Sequence, residues 1–232
     1  MKEIGKLYIV PTPIGNLEDI TLRAIKVLAE VDIIACEDTR RTGMLLKHHC
    51  ISAKKLESYH EHNEKEKANI LIKYLLEGKN IALASDAGTP GISDPSYRLV
   101  VKCVENSIDV VSLPGASSTI TALVASGLPT DQFRFFGFPP QKKGRQTFLQ
   151  NLANNDCTSI IFESPYKIEK FLDELIKYCG VQRRICFARE LTKVFEEYIR
   201  GTLLECKQAL KNKNSIKGEF VIILEGKKNE KL

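Results

Sequence analysis

A run of small and polar residues from Ser85 to Pro95 has the composition of a ligand-binding loop. It follows the apolar segment 80–84, which predicts a buried strand. It ends in Asp94 and Pro95, which predict the N-cap and the first residue of a helix. Ligands of open α/β sheets bind beyond the carboxyl ends of the strands, where this loop would lie. Its glycines allow close backbone approach and Asp86 adds an acceptor; the alternative is an ordinary tight connection.

Three further segments repeat the pattern of an apolar strand, a loop of small residues and a capped helix. Their loops begin at Pro11, Pro114 and Glu163, and Ser164 followed by Pro165 predicts the start of a helix. These loops meet at one ligand site if their strands are parallel. The chain contains no GxxxxGK[ST] sequence, and no GxGxxG follows a strand, which disfavours P-loop phosphotransferases and ordinary Rossmann oxidoreductases.

Two carboxylates and a guanidinium follow the predicted strand that ends at Cys36. Glu37, Asp38 and Arg40 therefore lie at the same sheet edge as the glycine loops, where they are candidates for acid–base or polarising chemistry. The alternative is that Asp38 caps the next helix and pairs with Arg40. Glu163 holds a similar position in the second half, and its alternative role is to position the turn that follows it.

The alternation of strand and helix patterns predicts an α/β fold of two abutting domains, residues 1–114 and 115–232, with a ligand cleft between them. The second domain is predicted to hold a mixed sheet, because residues 184–200 have the pattern of a hairpin. Asn63 and Glu66 predict a capping box at the third helix of the first domain. The aromatic run 133–138 predicts a buried core strand rather than a platform that stacks bases.

Composition sets broad limits on the class of protein. Of 232 residues, 43% are hydrophobic and 27% charged, which is typical of a globular protein with real cores. No apolar run approaches the roughly 20 residues of a membrane helix, and the first residues lack the apolar region of a signal peptide. The 7 cysteines form no CxxC pair, which predicts reduced thiols in a cytoplasmic protein. The four histidines lack further ligands, so no metal site is predicted.

Several segments together resemble one family, the tetrapyrrole methylase superfamily. In the first half these are residues 11–17, 37–40, 85–95 and 114–117, and in the second half 162–165, 188–193 and 217–220. Within the superfamily, the chain is similar to the bacterial branch that methylates a cytidine ribose 2′-hydroxyl in small-subunit (16S) ribosomal RNA. It departs from that branch at Tyr166 and Lys167, where His-Arg is more usual, and at Pro139, where Leu is commoner.

The resemblance implies two α/β domains of the tetrapyrrole methylase type, with S-adenosylmethionine as the cofactor in the cleft between them. It further implies a homodimer that acts on small-subunit ribosomal RNA. The cofactor residues expected on this basis come from both halves of the chain: Pro11, Asp86, Gly88, Ile92, Ser117, Ser118, Phe162, Ala188, Leu191 and Gly218. The catalytic candidates are Glu37, Asp38, Arg40 and Glu163.

Cationic side chains in a loop between a strand and a helix suit contacts with RNA phosphates. Lys142, Lys143 and Arg145 have this placement, and Arg41 is a further RNA-binding candidate. The alternative for each cluster is a solvated surface turn. Two other functions stay open, because a fold does not fix a substrate. One is a tetrapyrrole or other small-molecule methyltransferase, and the other is a non-catalytic RNA-binding assembly factor.

Overall fold

A computed structural model describes residues 3–52, 55–213 and 217–228. The chain forms two compact units, which divide between Ser117 and Ser118. The boundary predicted from the sequence, 114/115, lies just before this division. Each unit contains one five-stranded sheet with its own helices, so the α/β class predicted from the alternating pattern is confirmed.

The sheet of the first unit is entirely parallel. Its strands are β1 (Leu7–Val10), β2 (Ile33–Cys36), β3 (Leu56–Ser58), β4 (Ile81–Ala84) and β5 (Val110–Ser112), arranged in the order β3-β2-β4-β1-β5. The three central strands are short, apolar and almost wholly buried, as strands covered on both faces must be. Because all five strands are parallel, their carboxyl ends lie at one edge of the sheet.

Helices cover both faces of this sheet. They are α1 (Leu22–Glu30), α2 (Thr39–His48), α3 (Glu64–Leu76) and α4 (Tyr97–Glu105), and a 3₁₀ turn spans Leu17–Asp19. One face packs Ile9, Ala35 and Leu83 against α3 and α4. The other face packs Ile34 and Ala82 against α1 and α2. Successive side chains of each strand therefore point to opposite faces of the sheet and belong to two separate cores.

The second unit has a mixed sheet. Its strands are β6 (Phe133–Gly137), β7 (Thr158–Glu163), β8 (Arg184–Arg189), β9 (Glu197–Thr202) and β10 (Phe220–Leu224), in the order β6-β7-β10-β8-β9. Only the pair β6–β7 is parallel among these strand pairs, and β8 and β9 form the predicted hairpin. Its helices are α5 (Ser118–Ala125), α6 (Arg145–Asn154), α7 (Ile168–Cys179) and α8 (Leu203–Lys211).

The two faces of the second sheet carry different residues. Ile161 and Phe187 belong to the core formed with α6, α7 and α8. Phe162 and Ala188 both pair with Val221, so they lie in one row across the sheet, on the opposite face from Ile161. This row is close to the end of the sheet from which the loops after β7 and β8 leave.

Two predicted helix starts and one predicted capping box are wrong. Helix α4 begins at Tyr97 rather than Pro95, since Asp94 accepts a hydrogen bond from the Gly91 amide inside the loop. Helix α7 begins at Ile168 rather than Pro165. Asn63 is the N-cap of α3 but makes no capping bond, because its side chain bonds to Ser58 and His60 instead.

The aromatic run 133–138 does not form the predicted core strand. It forms β6, which is the edge strand of the second sheet. Phe133 and Phe138 are exposed, whereas Phe135 and Phe136 are half-buried. The apolar pattern identified the strand correctly, but it does not indicate whether the strand lies at the centre or at the edge of the sheet.

The 7 cysteines are free thiols. Burial raises the pKa of the Cys103 and Cys206 thiols to about 12, so both stay protonated at neutral pH. Within the described ranges, no cluster of three or more His, Cys, Asp or Glu side chains has the arrangement of a metal site. No helix of the described chain has the length and apolarity needed to cross a membrane.

Candidate active site

Three loops at the carboxyl edge of the first sheet are joined by hydrogen bonds. Thr12 and Gly88 exchange both backbone bonds at 2.9 Å, and the Thr12 hydroxyl donates to the Ser85 carbonyl at 3.0 Å. The Thr89 hydroxyl donates to the Ala116 carbonyl at 2.9 Å. The loops that follow β1, β4 and β5 therefore converge, as expected for parallel neighbouring strands. The fourth loop of the prediction, which begins at Glu163, follows β7 of the other sheet and does not share this edge.

Two glycines allow this convergence because a larger residue would be strained at either position. Gly88 has φ of 81°, and a Cβ atom there would lie 3.2 Å from Cγ2 of Ile14. A Cβ atom on Gly115 would lie 2.5 Å from Cβ of Pro11. At Gly88 the positive φ disfavours any other residue, and at Gly115 a side chain would collide with the Pro11 ring.

Asp86 connects the glycine loop to the start of α2. Its backbone amide donates to Oε1 of Glu37 at 3.1 Å, while its own Oδ1 accepts from the Asp38 amide at 3.1 Å. Its Oδ2 lies 3.4 Å from Nη1 of Arg41. The loops after β2 and β4 are thus interlocked, and the Asp86 carboxylate is directed toward α2.

Asp38 and Arg40 form a local capping arrangement. Oδ1 of Asp38 accepts from the Arg40 amide at 2.8 Å and from its Nε at 3.0 Å, and Oδ2 accepts from Nη2 at 2.7 Å. The Arg40 side chain beside it holds the pKa of Asp38 well below its usual range. This geometry favours the capping interpretation over a catalytic role, since a permanently ionised, occupied carboxylate is a poor proton acceptor.

Glu37 differs from Asp38 in its surroundings. The residue is half-buried, and burial raises the pKa of its carboxyl above the usual value, with the charges of Asp94 and Asp86 acting in the same direction. One oxygen is oriented by the Asp86 amide. A carboxylate that is oriented and has a raised pKa suits a general base near neutral pH.

The cofactor candidates of the first unit lie along these loops with different exposure. Pro11 is buried beneath Gly115, whereas Ile92 is exposed at the tip of the glycine loop. Ser117 ends the first unit and Ser118 begins α5, and both are half-buried.

The cofactor candidates of the second unit share one end of its sheet. Phe162 and Ala188 flank Val221 on a common face, and the Phe162 ring centroid lies 5.1 Å from that of Phe135. Leu191 is buried in the loop after β8. Gly218 lies in the loop before β10, in contact with Glu190 of the neighbouring loop.

The structure assigns Arg145 and Glu163 a role in packing. Arg145 donates to Glu174 through Nε at 3.0 Å and Nη2 at 2.6 Å, and through Nη1 to the Pro140 carbonyl at 2.9 Å. Oε2 of the buried Glu163 lies 4.0 Å from Nη2 of Arg145, and its Oε1 accepts from the Ser164 amide. Neither the RNA-binding prediction for Arg145 nor the catalytic prediction for Glu163 fits this geometry.

Lys142 and Lys143 are exposed in the loop before α6, so they are available to a polyanion. Three cations were predicted to face solvent in this loop, and of these three the two lysines do so. Arg145 is the first residue of α6 and turns inward to the α7 carboxylate.

A cavity of about 300 Å³ lies beside the interlocked loops of the first unit. Arg41 and Asp86 line it together with Pro13, Leu17 and Met44. Leu17 and Met44 were not predicted as site residues. The available signal was the spacing of Arg41, Met44 and Leu45, which places them on one face of α2.

Comparison with known proteins agrees with this architecture. The model of the family described as tetrapyrrole (corrin/porphyrin) methylases matches residues 6–207. The ribosomal RNA small subunit methyltransferase I of Halalkalibacterium halodurans is 51% identical over 223 residues, which is 96% of this chain and 76% of that protein. The protein of the same name from Escherichia coli O157:H7 is 50% identical over 226 residues, 97% of this chain and 79% of that protein.

Solved structures share the fold at low sequence identity. The methyltransferase CobJ has a TM-score of 0.70 at 17% identity, covering 98% of this chain and 97% of CobJ. The uroporphyrin-III C-methyltransferase of Thermus thermophilus, solved in complex with S-adenosylhomocysteine, has a TM-score of 0.66 at 17% identity, covering 94% of this chain and 97% of that one.

The chain belongs to the tetrapyrrole methylase family, in the branch of the ribosomal RNA small subunit methyltransferases I. The family resemblance inferred from the sequence segments is confirmed.

Proposed function

We propose that this methyltransferase transfers a methyl group from S-adenosylmethionine to the ribose 2′-hydroxyl of a cytidine in small-subunit ribosomal RNA. The observation that carries the chemistry is Glu37, a half-buried carboxylate of raised pKa at the carboxyl edge of a parallel sheet. The names of the relatives at about half identity support the choice of RNA over a tetrapyrrole.

The residues at the sheet edges fit the proposed cofactor. When bound, S-adenosylmethionine supplies an electrophilic methyl group on a positively charged sulfonium. Gly88 and Gly115 allow close approach of the loops, and the carboxylates of Glu37, Asp86 and Asp94 complement a positive charge. The residues proposed to hold the cofactor are Pro11, Gly88, Ile92, Ser117, Ser118, Phe162, Ala188, Leu191 and Gly218, with Asp86 beside them.

Glu37 is proposed to accept the proton of the ribose hydroxyl. A protonated hydroxyl is a poor nucleophile, and a positioned base contributes about 10²- to 10⁴-fold to such a step. Asp86 is proposed to position Glu37, because its amide bonds to the Glu37 carboxylate. Correct alignment of hydroxyl and methyl group supplies much of the remaining acceleration.

The RNA is proposed to contact Lys142 and Lys143 through its phosphates, with Arg41 near the reacting nucleotide. Both lysines are exposed, so each can release a condensed counterion when RNA binds. Contacts of this kind position the RNA without reading its sequence. The enzyme is proposed to act in the cytoplasm, where ribosomal subunits are assembled.

A homodimer is also proposed. Two copies related by a twofold axis would extend the cationic surface that an extended polyanion meets. Light scattering at micromolar concentration tests this proposal, and a mass near 26.1 kDa, that of one chain, contradicts it.

Label transfer from radioactive S-adenosylmethionine tests the function itself. We expect label in purified small ribosomal subunits, on a cytidine ribose located by mapping, and none in a porphyrinoid. Label in the porphyrinoid alone would favour the small-molecule alternative. Calorimetry that detects no cofactor binding would favour a non-catalytic assembly factor.

A further inference from the structure

The cavity beside α2 combines apolar walls with a polar rim. Pro13, Leu17, Met44 and Leu45 supply its apolar walls, and Arg41 and Asp86 supply its charged groups. The polar residues Thr12, Thr42 and Ser85 also line it. Its volume of about 300 Å³ is at the lower limit of cavities that hold small ligands, which suits a single nucleoside. All these residues belong to the first unit.

Two of the wall residues are large apolar side chains exposed to solvent. Met44 is 66% exposed and Leu17 is 39% exposed. They come from different elements, α2 and the 3₁₀ turn after β1. Exposed apolar surface beside a cavity is typical of a binding site.

The charges around the cavity disfavour a phosphate as its occupant. Asp86 lines the cavity, and hydrogen bonds link it to Glu37 and Asp38, whose carboxylate already binds the Arg40 guanidinium. A phosphate would bring a fourth negative charge close to these carboxylates. A neutral planar base adds no negative charge and requires hydrogen-bond partners along its edge and apolar contact for its faces.

The geometry points to Arg41 as the residue that reads the target base. Its side chain is 62% exposed, and its ion pair with Oδ2 of Asp86 is long, 3.4 Å. We infer that the cavity receives the cytosine of the nucleotide to be methylated, and that the Arg41 guanidinium donates two parallel hydrogen bonds to the adjacent acceptors O2 and N3. This inference rests on the proposed function and adds the residue that selects the base.

The assignment explains a preference for cytidine over uridine. Uracil carries a hydrogen on N3, which would face the guanidinium donors and leave them unpaired. Lysine could not replace arginine here, because an ammonium does not provide the planar pair of donors. Asp86 acts as a positioning residue that holds the guanidinium over the cavity.

The test compares cytidine with 3-deazacytidine at the mapped nucleotide in reconstituted small subunits. The base analogue lacks the N3 acceptor. We expect kcat/KM of the wild-type enzyme to fall about 10-fold or more on the analogue, as a lost bidentate contact implies. R41Q and R41K should be slower than wild type on cytidine and insensitive to the analogue. K47Q, which removes an exposed cation from the same helix, should behave as wild type.

Each other outcome overturns the inference in a recognisable way. Equal sensitivity of wild type and R41Q to the analogue means that Arg41 does not read N3. Full activity of R41K means that Arg41 supplies only positive charge to a phosphate. Weakened S-adenosylmethionine binding by R41Q, measured by calorimetry, means that the cavity holds the cofactor. Absence of methyl transfer to cytidine by the wild-type enzyme contradicts the proposed function first, and the inference with it.

Discussion

Two glutamates follow apolar strands in the two units, and the structure gives them opposite surroundings. Glu37 lies just beyond β2, half-buried at an edge where loops converge. Glu163 is the last residue of β7 and is buried beside Arg145, which is bound by Glu174 of α7. Burial raises the pKa of both carboxyls, so a perturbed pKa alone does not separate a catalytic carboxylate from a structural one.

Strand alternation explains the difference. Phe162 and Glu163 are neighbours in β7, so their side chains lie on opposite faces of the sheet. Phe162 shares its face with Ala188, whereas Glu163 shares its face with Ile161 and the helical core. Glu37 has left its strand, so the register of the sheet no longer determines its direction. A carboxylate one residue beyond a parallel strand is therefore a better catalytic candidate than one still inside a strand.

The largest effect expected from this comparison is on methyl transfer by E37Q. Glutamine keeps an oxygen to accept the Asp86 amide but cannot accept the ribose proton. Turnover on small subunits should fall about 10²- to 10⁴-fold. Calorimetry should show S-adenosylmethionine affinity close to wild type, and a loss of cofactor binding instead would give Glu37 a binding role.

The next largest effect is on the stability of R145Q. Removing the guanidinium leaves Glu174 and the buried Glu163 without their cation, so the free energy of unfolding should fall by about 3 kcal/mol or more. Chemical denaturation measures this change. K142Q, in the adjacent exposed loop, should stay within about 0.5 kcal/mol of wild type. If R145Q is as stable as wild type, the packing role is wrong.

A smaller effect is expected from reversing the two exposed lysines of that loop. K142E/K143E should weaken RNA binding and make the slope of log K against log salt shallower by about 1.5, because two counterions are no longer released. Cofactor affinity should not change. The matched control is K170E/K177E, which reverses two exposed lysines on α7. A slope unchanged from wild type would mean that this loop is an ordinary solvated turn that does not contact RNA.

Strand positions were predictable because they depend on local apolar periodicity: β2 ends at Cys36 and β4 lies within the segment 80–84, as expected. The convergence of three loops followed from parallel strands. Side-chain direction was not predictable in the same way. Asp94 and Asn63 were expected to cap helices and Arg145 to contact RNA, but each side chain bonds to a different group in the structure. The exposed position of β6 depends on strand order. The exposed Leu17 and Met44 were missed because sequence does not distinguish a cavity wall from a core.

The pH dependence of kcat/KM for methyl transfer tests the central claim most directly. A base works only when ionised, so the rate should fall as pH decreases through an acid limb, and the raised pKa of Glu37 places this limb above that of an ordinary glutamate. E37Q should lose the limb and E163Q should keep it at the wild-type position. A limb that disappears in E163Q and persists in E37Q would contradict the assignment of Glu37 as the base.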